Sequence, residues 1–285
     1  MVPLSPRVVV RHTLICVTTA LTTMATHCAP NAATTDAPAH LGLYNDTRIV
    51  RHPSGLSFRT RILRHPRALQ KWRLEDRLRS GLWESADPYI EEVLDSDPMC
   101  ANPLFLDGGA AFGYYSMKAA QRHRCREVQA FNPHPRFAST MRLNIEDNVR
   151  AGQLAGNAIC INRVALTNRS GSTEFAFGFG AGIDRGRNMM FEVPVTSLDI
   201  FFEEHISPEK GVILIKLDVE GEEVKALRGA RRLLQGCRVK NWSIGIHGEW
   251  LLRPVVSILQ SNGYRVASSI VYEQGLPFGE VTASC

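Results

Sequence analysis

The chain lacks an apolar run long enough to cross a bilayer. Its N-terminal stretch Leu14 to Ala25 is only twelve residues and is diluted by threonine, where a spanning helix needs about 20. Seven cysteines are scattered without Cys-x-x-Cys spacing, so neither a zinc site nor a disulfide framework can be read from them. No acidic residue precedes Asp36. Aromatic residues do not interleave with the arginines, which disfavours a nucleic-acid surface. A complete nicotinamide-type glycine turn is missing too. Counted from Gly108, positions one, three and six are Gly108, Ala110 and Gly113, so an alanine replaces the glycine that lets backbone approach a pyrophosphate. That disfavours a nicotinamide oxidoreductase.

What is present is enough for a full core. A chain of 285 residues with 44% hydrophobic content suits one domain plus an extension. The net charge of +5 is unevenly spread: ten Lys/Arg between Arg48 and Arg79 face only Glu75 and Asp76, a local balance of +8. Such a stretch reads as a solvated helix face, or as a surface for an anionic ligand or a membrane. Arg7 and Arg11, the short apolar run and the Ala/Pro/Thr-rich Cys28–His40 segment together resemble a targeting leader over residues 1–29, with cleavage in the Ala25–Ala29 region. The secretory pathway or extracellular space is the expected location, with an organelle or the cytoplasm as alternatives. Sequons at Asn45, Asn168 and Asn241 agree with a secretory route, although Asn241 adjoins an expected strand, where a glycan is awkward.

From residue 104 the pattern alternates strand and helix, which predicts an α/β domain with a mainly parallel, doubly wound sheet. Strands are expected at 104–107, 128–131, 158–164, 213–219 and 242–247, with two more in the tail. Helices are expected at 113–122, 135–150, 196–204 and 250–262, the last with Leu252, Val255, Val256 and Leu259 inward. One further helix should carry Val224, Leu227, Ala230 and Leu234 on a single face. Ser172–Phe177 and Phe191–Val195 pair as a hairpin around a glycine-rich loop at 178–188. Upstream, 68–78 and 88–94 read as helices. The chain divides into a leader (1–29), a basic extension (30–80) and an α/β domain (81–285).

Two strand ends carry the polar groups. Leu104-Phe-Leu-Asp-Gly-Gly-Ala-Ala-Phe-Gly113 delivers an acid and a glycine turn, and Ile215-Lys-Leu-Asp-Val-Glu-Gly-Glu222 delivers Lys216, Asp218 and Glu220. An acid just before the glycines suits a ligand with a positively charged amino-acid head. With Ala130-Phe-Asn-Pro-His-Pro135, Asn144, Asn148, Val164-Ala-Leu-Thr167, Val195-Thr-Ser-Leu-Asp199 and Leu227-Arg-Gly-Ala230, these pieces cover about half the chain in order. Together they resemble the FkbM family of methyltransferases. The resemblance implies a Rossmann-like fold of the class I methyltransferase type and O-methylation of a small molecule or glycan from S-adenosylmethionine. It implies that Asp107, Gly108, Gly109 and Gly113 hold the methionine end of the cofactor, that Asn132 meets the ribose, and that Val164 and Ala165 border the adenine. Lys216, Asp218 and Glu220 would then lie near the methyl group, with His247 facing the same crevice.

Three positions depart from the family pattern, which has Asn at Ala111, Glu at Asn132 and Glu near Gly245. Losing one hydrogen bond to a charged group weakens affinity by about tenfold to a hundredfold, so the alternative reading is a degenerate, non-catalytic binding or scaffold module. Among the candidate catalytic groups Asp218, His247, Glu220 and Lys216, His247 is the first choice for a base because imidazole titrates nearest neutrality. Lys216, two residues before Asp218 on the same strand face, neutralises that acid. Asp218 and Glu220 alone do not make a metal site. Trp83, Glu84, Tyr114 and Tyr115 either shape the acceptor pocket or pack the core.

Overall fold

The computed structural model describes residues 49–59, 74–81, 83–84, 86–97, 99–122, 126–176, 190–273 and 276–285. The expected leader, the Asn45 sequon, residues 60–73 of the basic stretch and the loop at 178–188 lie outside the described residues. In chain order the elements are β1 (Ile49–Arg51), β2 (Ser57–Arg59), α1 (Leu74–Ser80), α2 (Asp87–Asp95), β3 (Leu104–Gly108), α3 (Tyr114–Arg122), β4 (Glu127–Phe131), α4 (Pro135–Arg150), β5 (Ile159–Asn162), β6 (Ala165–Leu166), β7 (Gly171–Ala176) and β8 (Met190–Thr196). They continue with α5 (Leu198–His205), β9 (Val212–Leu217), α6 (Glu223–Arg228), α7 (Arg231–Leu234), β10 (Val239–Ile246), α8 (Glu249–Ser261), β11 (Arg265–Glu273) and β12 (Leu276–Ser284).

Seven strands form the main sheet in the order β11-β12-β10-β9-β3-β4-β5. β3, β4, β5, β9 and β10 pair in parallel, and β12 runs antiparallel to β10 and β11. The chain winds outward from β3 in one direction and from β9 in the other. The switch point therefore falls between β3 and β9, where a doubly wound sheet opens its ligand crevice at the carboxyl ends of the strands. Every residue of β9 is buried, as expected of a central strand covered on both faces. Alternation sends Leu104 and Leu106 into one core cluster and Phe105 into the other. Among the described residues no helix is long and apolar enough to cross a membrane.

The asparagines of α4 have structural work. Asn148 accepts from Ser57 N at 2.8 Å and donates to Ser57 O at 2.8 Å. Asn144 accepts from Arg59 N at 2.9 Å and donates to Phe112 O at 3.0 Å. Two buried amides thus replace the partner strand that the edge of β2 would otherwise need, and dock the β1–β2 hairpin on the domain. The basic stretch contributes inward as well: Arg59 pairs with Asp147 at 2.7 Å, and the Arg77 guanidinium lies 5.8 Å from the Trp83 ring centroid.

Several expectations need correction. The helix expected through Leu234 is broken into α6 and α7 at Gly229, because that glycine presses on the loop after β6: a methyl group there would sit 2.3 Å from Thr167 O. Gly229 O also accepts from Asp199 N, so three motif segments meet at one joint. The single strand expected over 158–164 ends at Asn162. Ala165–Leu166 then joins a separate three-stranded sheet with β8 and β7, which includes the expected hairpin. On α8 the buried residues are Leu251, Val255 and Leu259, while Leu252 and Val256 are only partly buried.

A disulfide that spacing did not reveal joins Cys237 to Cys285 across a sequence separation of 48, and Cys100 and Cys160 are also disulfide-bonded. The Cys237–Cys285 bridge fastens the end of β12 beside β10, where Cys285 N donates to Lys240 O. Cys285→Ser should lower unfolding free energy by about 2–4 kcal/mol, read from urea denaturation of both proteins under non-reducing conditions.

Candidate active site

The crevice is built from β3, β9 and β10 outward. Asp107 is the penultimate residue of β3 and is buried, 1% exposed. Its Oδ2 accepts from Ser116 Oγ at 2.6 Å, while its Oδ1 is buried without a hydrogen-bond partner among the described residues. Burial pushes the Asp107 carboxyl above its usual range, against the pull of Lys216. The turn that follows must be bare. Gly109 has φ +82°, and a methyl group there would lie 1.9 Å from Asp218 O. Gly113, also left-handed at φ +92°, would press a methyl group onto Met141 Cγ at 2.7 Å. Gly108 packs against Leu166 and Leu217.

On β9, Lys216 Nζ donates to Asp218 Oδ2 at 2.8 Å, the neutralising role expected from spacing, and lies 5.0 Å from the Tyr115 ring centroid. Burial disfavours the Lys216 charge, but Asp218, Glu84 and Asp107 outweigh it and hold its pKa above the ordinary lysine value. Asp218 is likewise opposed by burial, yet Lys216 and His247 hold it far below the usual carboxylate range.

His247 follows β10 and bridges two acids, with Nε2 3.1 Å from Asp218 Oδ1 and Nδ1 2.9 Å from Glu223 Oε1. Ionised carboxylates only accept, so both ring nitrogens carry protons. Burial alone would lower the His247 pKa, but the bonds to Asp218 and Glu223 and the charge of Glu220 push it up to about 11. An imidazolium with both N–H groups committed has no lone pair for a substrate proton. In this state His247 serves as a donor to two acids, where residue type alone suggested a base. Glu223, which sequence reasoning missed, also accepts from Val219 N and Gly221 N and so shapes the loop between them. Glu220, on that loop, has a left-handed φ of +54°. Its carboxylate lies 3.9 Å from His247 Nε2 with the side chain 51% exposed, and burial raises its pKa.

The remaining expected residues lie at the periphery. Asn132 follows β4 and is buried, but its Oδ1 accepts from His134 N at 2.8 Å, so its acceptor serves the turn into α4. Val164 is partly buried against the core, and Ala165 pairs with Val195 in the small sheet. Trp83, Tyr114 and Tyr115 pack in the core. Among the described residues, no group of three or more His, Cys, Asp or Glu side chains is arranged to hold a metal ion.

The buried imidazolium ties stability to pH. An unfolded histidine loses its proton near the ordinary value of 6.5, whereas the folded one keeps it to about 11. The contribution of His247 is thus complete below about pH 6.5 and is lost as pH rises from there through the folded value. Urea denaturation at a series of alkaline pH values should show wild-type stability falling more steeply than that of His247→Gln.

The sequence profile of the Methyltransferase FkbM domain matches residues 107–266. No curated protein matches the chain. Solved structures with a similar fold include a methyltransferase FkbM from Methylobacillus flagellatus KT, with 16% identity, 64% of this chain and 44% of that one covered, and a TM-score of 0.47. This chain therefore spans less than half the length of that protein. A precorrin-6y C5,15-methyltransferase from Geobacter metallireducens GS-15 shares 15% identity over 71% of this chain and 91% of its own, with a TM-score of 0.42. A human methyltransferase 10 domain containing protein shares 12% identity over 69% and 79%, also with a TM-score of 0.42. With the FkbM profile spanning more than half of its residues, the chain belongs to the FkbM methyltransferase domain family.

Proposed function

We propose that this protein is an S-adenosylmethionine-dependent methyltransferase acting on a hydroxyl of a small molecule or glycan. The observation that carries the cofactor is Asp107, whose buried Oδ1 has no donor among the described residues, beside a turn where Gly109 leaves no room for a side chain. Buried acceptors are almost always paired, and a cationic amino-acid head supplies the missing donor. A pyrophosphate would bring further negative charge. Asp107, Gly108, Gly109 and Gly113 would hold the methionine end, with Asn132, Val164 and Ala165 bordering the nucleoside. When bound, S-adenosylmethionine supplies an electrophilic methyl group on a sulfonium.

The chain's own contribution is chiefly positioning. Asp218, fixed by Lys216 and His247, keeps lone pairs to orient an acceptor hydroxyl, and is too firmly ionised to act as an effective base. Glu220, half-exposed and held in a strained conformation next to His247, is the group assigned to take the acceptor's proton. An anionic acceptor would meet Glu220 and the half-buried acids around it, so a neutral acceptor is favoured. Trp250, 72% exposed and three residues past His247, offers an apolar platform of the kind that stacks on a sugar ring.

The disulfides support a secretory location, since such bonds persist in oxidising compartments. On that reading Asn168 is exposed and available to a glycan, whereas Asn241 is not, because its amide donates to Ile213 O at 3.0 Å and accepts from Tyr89 OH. Full-length protein from mammalian cells should lose mass on deglycosylation, less so in Asn168→Gln, while Asn241→Gln should leave the shift unchanged.

Calorimetric titration with S-adenosylmethionine and S-adenosylhomocysteine tests the cofactor assignment. Binding should be measurable and should tighten by about tenfold or more in Asn132→Glu, which restores a second acceptor for the ribose. Binding only in Asn132→Glu would identify a degenerate site on an intact fold. No binding in either protein would overturn the proposal.

A further inference from the structure

The end of β4 carries donors, where the ends of β3 and β9 carry acids. Phe131 O accepts from Gly109 N at 3.0 Å and from Ala110 N at 2.9 Å, and Asn132 N donates to Asn162 O at 3.0 Å. Asn132 therefore sits between the glycine turn and the end of β5, where the crevice of a doubly wound sheet opens. The residue is only 7% exposed. Its amide has one fixed orientation, because His134 N can only donate and meets Oδ1 at 2.8 Å. The Nδ2 end is left over, without a hydrogen-bond partner among the described residues.

A second donor is unspent four residues on. Arg136 lies in the first turn of α4, where its backbone N–H donates to His134 Nδ1 at 3.1 Å. Its side-chain Nε is buried without a hydrogen-bond partner, and no carboxylate pairs with the guanidinium among the described residues. The first turn of this 16-residue helix holds no acid. Burial, with the charge of Arg136, pushes His134 down to about 4, so the imidazole is neutral near neutrality and Arg136 supplies the local charge. A helix N-terminus alone would not define a ligand. The orphaned amide and guanidinium do, because buried polar groups are almost always paired and both of these call for an acceptor. Beside the positive end of a helix dipole they suit an anion, and a planar guanidinium fits phosphate oxygens in particular.

We propose that the β4 end of the crevice binds a phosphate monoester on the ribose of an adenine nucleotide, with Asn132 Nδ2 and Arg136 as its donors. The assignment rests on the nucleoside placement given above and not on methyl transfer. At this place in a doubly wound sheet an acid receives free ribose hydroxyls, whereas a nearby arginine accommodates a ribose phosphate. Asn132 and Arg136 make the second arrangement. The phosphate belongs on the 2′ or 3′ hydroxyl, which faces β4. A 5′ phosphate would face Asp107, whose buried oxygen has no use for a further acceptor.

The test titrates full-length protein calorimetrically with adenosine and with its 2′-, 3′- and 5′-monophosphates, and separately with S-adenosylhomocysteine. In wild type the 2′ or the 3′ phosphate should tighten binding over adenosine by about tenfold to a hundredfold, and the 5′ phosphate should not. That gain should shrink to about twofold or less in Arg136→Gln, and also in Asn132→Glu, where a carboxylate repels the phosphate. S-adenosylhomocysteine binding without any gain from a ribose phosphate would overturn the assignment and leave the cofactor reading intact. An equal gain from all three phosphates, or one that survives Arg136→Gln, would overturn it as well. A gain from the 2′ or 3′ phosphate in a protein that ignores S-adenosylhomocysteine would sustain the assignment and overturn the cofactor reading. Wild type that binds none of the ligands would overturn both. The comparison within wild type decides the matter even where a variant does not fold.

Discussion

The crevice depends on one buried chain of alternating charge, Lys216–Asp218–His247–Glu223, that links β9, β10 and the start of α6. Each member is stabilised by a neighbour of opposite sign, so removing Asp218 or His247 leaves Lys216 or Glu223 without its partner in the chain, in a poorly solvated place. The consequence reaches the backbone. Glu223 is fully buried and holds both Val219 N and Gly221 N, so the loop that presents Glu220 is shaped by a carboxylate whose own counter-charge is the His247 imidazolium. The proton on His247 is therefore a structural element of the loop.

That network gives physical content to the departures from the family pattern. At position 245 a methyl group would lie 3.1 Å from Asp218 Oδ1 and 3.2 Å from His247 Cε1. A longer acid there would crowd both residues, so Gly245 goes together with the His247 bridge. Ala111 sits at φ +46°, a left-handed conformation that asparagine tolerates better than alanine. Asn132 spends its acceptor on the turn into α4. The three positions have three separate local consequences, and the ion chain of β9 and β10 is complete beside them.

Much of the fold was legible because apolar strands ending in acids have no packing reason to do so, and because helix and strand periods differ. Helix α4 runs over its expected residues, 135–150. The break at Gly229 was not legible, since amphipathic spacing continues across it and only contact with Thr167 interrupts it. Placement of Lys216, Asp218 and His247 in one crevice followed from their strand ends. The state of His247 did not, because it is set by two carboxylates from different elements. Glu84 was read as either shaping an acceptor pocket or packing the core, and its contact with Tyr115 of α3 is a tertiary fact that spacing does not reveal. Cys237 and Cys285 gave no signal because their pairing follows from the antiparallel placement of β12, a tertiary fact.

The side chains of Asn144 and Asn148 tie the domain to residues well upstream of it. Both are fully buried, and their amides are satisfied in large part by Ser57 and Arg59. The recognisable domain starts at residue 107, half a hundred residues further along. A fragment cut at that point would keep every family motif and lose the partners that make two of its motif asparagines tolerable inside the protein. The boundary visible in sequence thus leaves out contacts on which the buried amides of α4 depend.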